Sequence, residues 1–155
     1  MNYQYFDSPV GRLRLCSDGR HLTAIEFENR QSDATGDVEG SDSVLSACVR
    51  QLTEYFAGDR HNFDLPLAAG GTDFQQRVWR ALTRIPYGEL RSYRDIADSL
   101  DNRRAVRAVG AANGRNPIPI VVPCHRVIGS DGSLTGFAGG IAVKQALLEL
   151  EGALD

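Results

Sequence analysis

Residues 92–114 read SYRDIADSLDNRRAVRAVGAANG. Ser92 is a good helix cap, and Ile96, Ala97 and Leu100 fall on one side of a helix predicted over 93–100. Asp101-Asn102 makes a turn, and a further helix is predicted over 103–113. Two short helices joined by a tight turn, the second rich in Arg and Ala, match a helix-turn-helix. In that second helix Val106 and Val109 are expected to face the core, while Arg103, Arg104 and Arg107 form one cationic stripe. Ala105, Ala108, Gly110, Ala111 and Ala112 leave a slim surface. It suits close approach to a nucleic-acid groove, or equally tight packing by another helix.

Working outward, Thr72 or Asp73 caps a helix carrying Phe74, Val78, Trp79 and Leu82, with Trp79 expected in the core. That helix ends before Pro86-Tyr87-Gly88. A last helix is predicted over 142–151, with Val143, Leu147 and Leu150 inward and Gly152 as its stop. Gly70-Gly71 separates this mainly helical part, 72–155, from a domain at 1–71. There, Tyr3 and Tyr5, Leu13 and Leu15, then Leu22, Ala24 or Ile25, and Phe27 predict three strands joined by tight turns. Asn29 to Ser41 reads as a polar loop. Val44, Leu45, Cys48, Leu52, Tyr55 and Phe56 then recur at helical spacing up to Gly58, and 61–68 reads as a further extended segment. Asp7, Glu26 and Glu28 are expected on a solvated strand face. The whole is an α/β chain.

Of 155 residues, 42% are apolar and 24% charged, ordinary for a soluble globular protein. No run approaches the roughly 18 apolar residues of a membrane helix, and the start lacks a signal-peptide pattern. Three cysteines do not suggest a disulfide framework, so a reducing cytoplasm is expected. Residues 1–71 carry 6 Arg against 11 acids, whereas residues 77–126 carry 10 Arg against 4. An acidic protein with one cationic segment can bind a polyanion through that segment. Cys16, His21, Cys48 and His61 lack any close paired spacing, so no metal or cofactor is expected.

The chemistry gathers in Asn113-Gly114-Arg115-Asn116-Pro117-Ile118-Pro119-Ile120-Val121-Val122-Pro123-Cys124-His125-Arg126-Val127. Prolines and β-branched residues predict a stiff, extended segment that delivers Cys124 beside an imidazole and a guanidinium. Such neighbours are expected to lower the thiol pKa, and Glu151 is a candidate to orient the His125 base. A bare Cys-His pair is otherwise a buried structural cysteine.

Pro123-Cys124-His125-Arg126-Val127 resembles the active-site signature of the O6-alkylguanine-DNA alkyltransferases, the methylated-DNA–protein-cysteine methyltransferases. Residues 107–117, Leu134 to Gly140, Tyr87-Gly88-Glu89, Ser92-Tyr93 and Leu148 to Gly152 extend the likeness over nearly all of 72–152; Ser8-Pro9-Val10-Gly11 agrees weakly. The resemblance implies a small ribonuclease-H-like α/β roll followed by a helical, winged-helix-like domain that binds the minor groove and flips the damaged nucleotide. It implies that Cys124 takes the alkyl group irreversibly, once, from guanine O6. His125 would be the base, acting through one water and held by Glu151. Asn116 would be a hinge between the helix-turn-helix and the active segment. Tyr93 would turn the 3′ phosphate and donate to the departing guanine. Arg107 would enter the base stack, and Arg103, Arg104, Ala108, Ala111, Arg115 and Arg126 would face DNA. Backbone groups near Cys124, Val127 and Ala138 would hold the base, and Pro119 and Phe137 would line the alkyl pocket. Some relatives carry Tyr and Ser where this chain has Phe137 and Ala138, so a side-chain hydroxyl there is lost. The expected partner is double-stranded DNA carrying alkylated guanine, bound by a monomer, with no membrane and no cofactor; O4-alkylthymine is a further expected substrate.

Three rivals stand beside it. A non-catalytic lesion binder of this fold would lack the nucleophile, which is present. A Cys-His-Glu hydrolase would need an oxyanion loop. A plain helix-turn-helix regulator leaves Pro-Cys-His-Arg without a role.

Overall fold

The computed structural model describes residues 1–31 and 36–154, which divide into two compact units, Met1–Ala69 and Gly70–Asp155. In the first, β1 (Asn2–Ser8), β2 (Gly11–Ser17) and β3 (Leu22–Glu26) form an antiparallel meander. Ser8 pairs with Gly11 around Pro9-Val10, and the Ser8 hydroxyl donates to the Gly11 carbonyl at 2.6 Å. At the next turn the Asp18 carboxylate accepts from the Arg20 and His21 N–H groups at 2.8 and 2.7 Å. β4 (Val38–Glu39) adds parallel to β1, giving the order β3-β2-β1-β4. The polar loop expected over 29–41 therefore holds a short strand, and a 3₁₀ turn spans Glu28–Arg30. Residues 32–35 of that expected loop lie outside the described residues.

Helix α1 (Ser43–Phe56) starts where the Asp42 carboxylate accepts from the Leu45 N–H at 2.8 Å and buries Val44, Leu45, Cys48, Leu52 and Tyr55 against the sheet. Gln51 is buried with them because its amide makes two 2.8 Å bonds with the Asp64 backbone. The segment expected to be extended then joins β3 at the Leu22↔Leu67 bridge, where the Leu22 N–H donates to the Pro66 carbonyl at 2.7 Å and the Ala68 N–H donates to the Leu22 carbonyl at 3.0 Å. Arg14 corrects the simple inside–outside reading of β2. It is 1% exposed, lies 3.4 Å from both Glu26 and Asp37, and stacks 4.2 Å from the Tyr3 ring. Glu26 is thus a partner of a buried cation, while Asp7 and Glu28 are exposed. Burial pushes the Cys16 and Cys48 thiols up to about 11 and about 12, and among the described residues no three metal-ligating side chains gather.

The second unit opens with α2 (Asp73–Leu82), capped by a reciprocal Thr72–Gln75 box. Trp79 is buried, and its Nε1 donates to the Ala112 carbonyl at 2.9 Å. A Cβ on Gly71 would meet that ring at 2.5 Å, so only glycine fits there. β5 (Arg91–Ser92) leads into α3 (Tyr93–Ser99), capped by a second box, Ser92–Asp95. After a turn, residues 103–105 form a tighter 3₁₀ turn before α4 (Val106–Gly114), so the helix expected from Arg103 is α-helical only from Val106. Val109 is fully buried and Val106 half-buried. β6 (Val127–Ile128) pairs parallel with β5, and α5 (Ile141–Leu150) ends at Gly152. There Gly152 and Ala153 N–H groups bond back to Glu149 and Leu148 carbonyls, with Gly152 at φ 77°, a left-handed helix stop. Of the residues expected to face inward on α5, Leu147 is fully buried; Lys144 and Leu148 join it, while Val143 and Leu150 are half-exposed. No helix among the described residues is long and apolar enough to cross a membrane.

Trp79 links α2 to α4 through one buried hydrogen bond. Trp79→Phe removes the indole donor but leaves the Ala112 carbonyl its 3.2 Å bond from the Arg115 N–H, so it should lower unfolding free energy by about 0.5–1.5 kcal/mol for the lost hydrogen bond in a urea titration.

Candidate active site

The chain leaves α4 through Asn116, whose side chain closes a loop. Its Nδ2 donates to the Val122 carbonyl at 2.8 Å, and its Oδ1 accepts from the Ile118 N–H at 3.0 Å. The Val122 N–H returns to the Ile118 carbonyl at 2.9 Å, and Ile120, buried, sits at φ 73°. The stretch expected to be extended is therefore a closed loop. Asn116 overrides the β-branched preference, and holding Ile120 in the left-handed region costs about 1–3 kcal/mol. The loop delivers Cys124 into a 3₁₀ turn, Cys124–Arg126, whose first carbonyl accepts from Asn113 Nδ2 at 3.3 Å.

Cys124 is a free thiol, 4% exposed. Burial pushes it up, to about 11; a hydrogen bond from Asn116 and the charge of Lys144 pull the other way. The expected depressed thiol is thus not what this geometry provides, because burial outweighs the groups that lower it, and the adjacent imidazole adds no charge that would help. His125 is fully buried, and burial drives its pKa down against the pull of Glu151. Its Nε2 lies 2.7 Å from Glu151 Oε2. A carboxylate only accepts, so the imidazole proton sits on Nε2 and Nδ1 keeps its lone pair. Nδ1 is buried with no hydrogen-bond partner among the described residues.

Arg126 is corrected by the structure. Expected to face DNA, it is 5% exposed and directed inward. Its Nε and Nη2 donate to the two Glu151 oxygens at 2.8 and 3.1 Å, and Nη1 donates to the Ile85 carbonyl at 2.7 Å. Tyr93 opens α3, and its hydroxyl donates to the Thr135 carbonyl at 3.1 Å; burial raises its pKa, keeping it a donor. Lys144 donates to that same carbonyl at 3.0 Å and to Val127 at 2.6 Å; burial lowers it to about 8. The structure thus brings Cys124, His125, Glu151, Asn116 and Val127 into one bonded neighbourhood, with Tyr93 joined through Thr135. Pro119 is buried, and Phe137 and Ala138 are half-exposed.

On the outer surface Arg103, Arg104, Arg107, Ala108, Ala111 and Arg115 are all exposed, with Arg103 3.5 Å from Asp98. The small residues of α4 divide between the two readings of them. Ala112 is buried on the Trp79 side and Gly110 lies against the Tyr93 ring, whereas Ala108 and Ala111 remain open. Lys144 and Asn113 escaped the sequence reading. The spacing of Lys144 to Leu147 and Leu148 already places it on the apolar stripe of its helix.

The model of the ribonuclease-like domain of 6-O-methylguanine DNA methyltransferase matches residues 1–69, and that of its DNA binding domain matches residues 73–153. The chain belongs to the 6-O-methylguanine DNA methyltransferase family. Within this family it is 51% identical over 156 residues to the methylated-DNA–protein-cysteine methyltransferase of Mycobacterium tuberculosis, covering 97% of this chain and 92% of that protein. The protein of the same name from Methanosarcina barkeri is 47% identical, with 97% of each chain covered. The crystal structure of Mycobacterium tuberculosis OGT in complex with DNA superposes with a TM-score of 0.92 at 52% identity, covering 98% of this chain and 93% of that one.

His125 should make this family member acid-sensitive. Folded protein holds it neutral, so below about 6.5 the unfolded chain takes up a proton that the native state refuses. Stability is full above that value and lost as pH falls through the lower native pKa. Thermal melts from pH 7.5 to 5 should show a falling midpoint, and His125→Gln should flatten that fall.

Proposed function

We propose that this chain repairs double-stranded DNA by moving a methyl or larger alkyl group from guanine O6, and from O4-alkylthymine, onto its own Cys124. The observation that carries the reading is the order thiol, neutral imidazole, carboxylate at residues 124, 125 and 151, with the imidazole's open nitrogen buried. Its relatives' name, methylated-DNA–protein-cysteine methyltransferase, states the same chemistry.

The thiol proton passes through a water to His125 Nδ1 while Glu151 stabilises the imidazolium at Nε2. Sulfur attacks the alkyl carbon, the S–C bond forms as the C–O6 bond breaks, and the electron pair stays on guanine, which takes a proton back. With its thiol raised rather than depressed, Cys124 depends on this acceptor for its reactivity. Guanine O6 lies inside the stack, so the nucleotide must be extruded, at a cost of a few kcal/mol. Arg103, Arg104 and Arg115 supply phosphate contacts, Ala108 and Ala111 let α4 approach the minor groove, and Arg107 fills the gap left in the stack. Entry of the base draws Tyr93 from Thr135, freeing its hydroxyl for the phosphate and the departing guanine. Pro119, Val127, Phe137 and Ala138 enclose the alkylated base, the Val127 carbonyl using the lone pair that Lys144 leaves.

The product is a thioether, and the unit that holds Cys124 has no second thiol to remove it, so each molecule reacts once. We place this chemistry in the 72–155 domain, acting as a monomer without a cofactor. Three unpaired cysteines support a cytoplasmic site of action.

Incubation with a methylated-guanine duplex should add about 14 Da to the Cys124 peptide, one CH2. A folded, reduced sample that gains nothing yet still binds the lesion would make the chain a non-catalytic lesion binder. Cys124→Ser should abolish transfer and keep DNA affinity within a few-fold. Arg107→Ala should slow repair of duplex at least tenfold more than reaction with free alkylated base, and equal slowing would remove its role in flipping.

A further inference from the structure

Resting on that reading of His125 as the base, we propose that Arg126 is a positioning residue: by gripping and neutralising Glu151 it holds His125 as the neutral Nε2–H tautomer. Two guanidinium N–H groups meet the two Glu151 oxygens in a fork, at 2.8 and 3.1 Å, which fixes the plane of the carboxylate. The third donor reaches the Ile85 carbonyl at 2.7 Å, and the guanidinium lies 5.7 Å from the Tyr87 ring centroid, so the fork is anchored from a separate segment. The orientation so imposed presents Oε2 to His125 Nε2 at 2.7 Å.

The charge of Arg126 matters beside its geometry. A buried carboxylate with no cation beside it would draw a proton onto the imidazole, and an imidazolium cannot accept one from a thiol. Arg126 supplies the cation permanently, since guanidinium does not deprotonate. The charged groups facing His125 are Glu151 at the end of α5, Lys144 within α5, and Arg126 in its own turn. Helix α2 also packs on that turn, and its charged residues, Asp73, Arg77 and Arg80, are exposed. The segment at 85–88 contributes a carbonyl, the Tyr87 phenol and the Gly88 N–H, 3.4 Å from Glu151. Arg126 and Lys144 both press His125 toward its neutral form, and only Arg126 also touches Glu151.

The test is single-turnover transfer from a methylated-guanine duplex between pH 5.5 and 9, with the imidazole titration of His125 followed by NMR, for wild type, Arg126→Met and Arg126→Lys. In Arg126→Met the His125 titration and the acid limb of the rate should both move up by at least one pH unit, with the rate recovering at high pH. Arg126→Lys keeps the charge but not the fork, so its acid limb should stay near wild type while transfer slows several-fold at every pH. A His125 titration unmoved in Arg126→Met, with the rate lowered by one factor throughout, would overturn the proposal and leave Arg126 a packing residue. Should Arg126→Met not fold, the double variant Arg126→Met/Glu151→Gln buries no charge at either position. There the His125 titration should stay within one pH unit of wild type, and a larger change in either direction overturns the proposal. Wild-type protein that transfers no alkyl group would instead remove the parent reading, which the titrations themselves do not assume.

Discussion

The carboxylate of Glu151 is the constraint on which the active unit is built. It stands at the C-terminal end of α5, where the helix dipole disfavours a negative charge, and it is buried. Left alone it would be expelled to water or protonated. It stays because Arg126, 25 residues away, and His125, 26 away, converge on it, and the Gly88 N–H comes from 63 residues away. Removing one member of a buried pair typically costs about 3–5 kcal/mol, because the other charge remains. The turn bearing Cys124 therefore has its place set by a group with no contact to the substrate carbon.

That arrangement also reconciles a buried thiol with a reactive one. Cys124 is shielded, and its own ionisation is opposed by burial. A thiolate exposed at rest would be open to every electrophile and oxidant in its surroundings. A thiol that burial holds in its protonated form is spared this. On the proposed mechanism, the neutrality of His125 serves selectivity as well as rate.

Local chemistry was legible wherever the determining partner is close in sequence. Thr72 with Gln75 and Ser92 with Asp95 announce their helices, Ser8 to Gly11 announces its hairpin, and Gly152 ends α5 as read. Cys124, His125 and Glu151 were expected together from the signature and the need for an orienting acid, and Glu151 does stand 2.7 Å from His125. What escaped depends on distant partners. Arg14, Arg126 and Lys144 are charged, and charge in a sequence reads as solvent-facing; each is buried because carboxylates or carbonyls elsewhere in the chain receive it. One miss is local: prolines and β-branched residues over 117–123 read as extended, but the Asn116 side chain bends the segment through hydrogen bonds to residues two and six positions on, which composition does not reveal.

Helix α4 joins these themes. Its outward face carries Arg107, Ala108 and Ala111, and its inward face ends in Asn113, which bonds the Cys124 carbonyl, with Asn116 just beyond holding Val122. Trp79 fastens the same helix to α2, and Gly110 seats the Tyr93 ring. A displacement of α4 is therefore transmitted at once to the thiol, to the loop before it and to Tyr93. Packing this dense has few soft directions, so a change on one side of α4 reappears on the other rather than being absorbed.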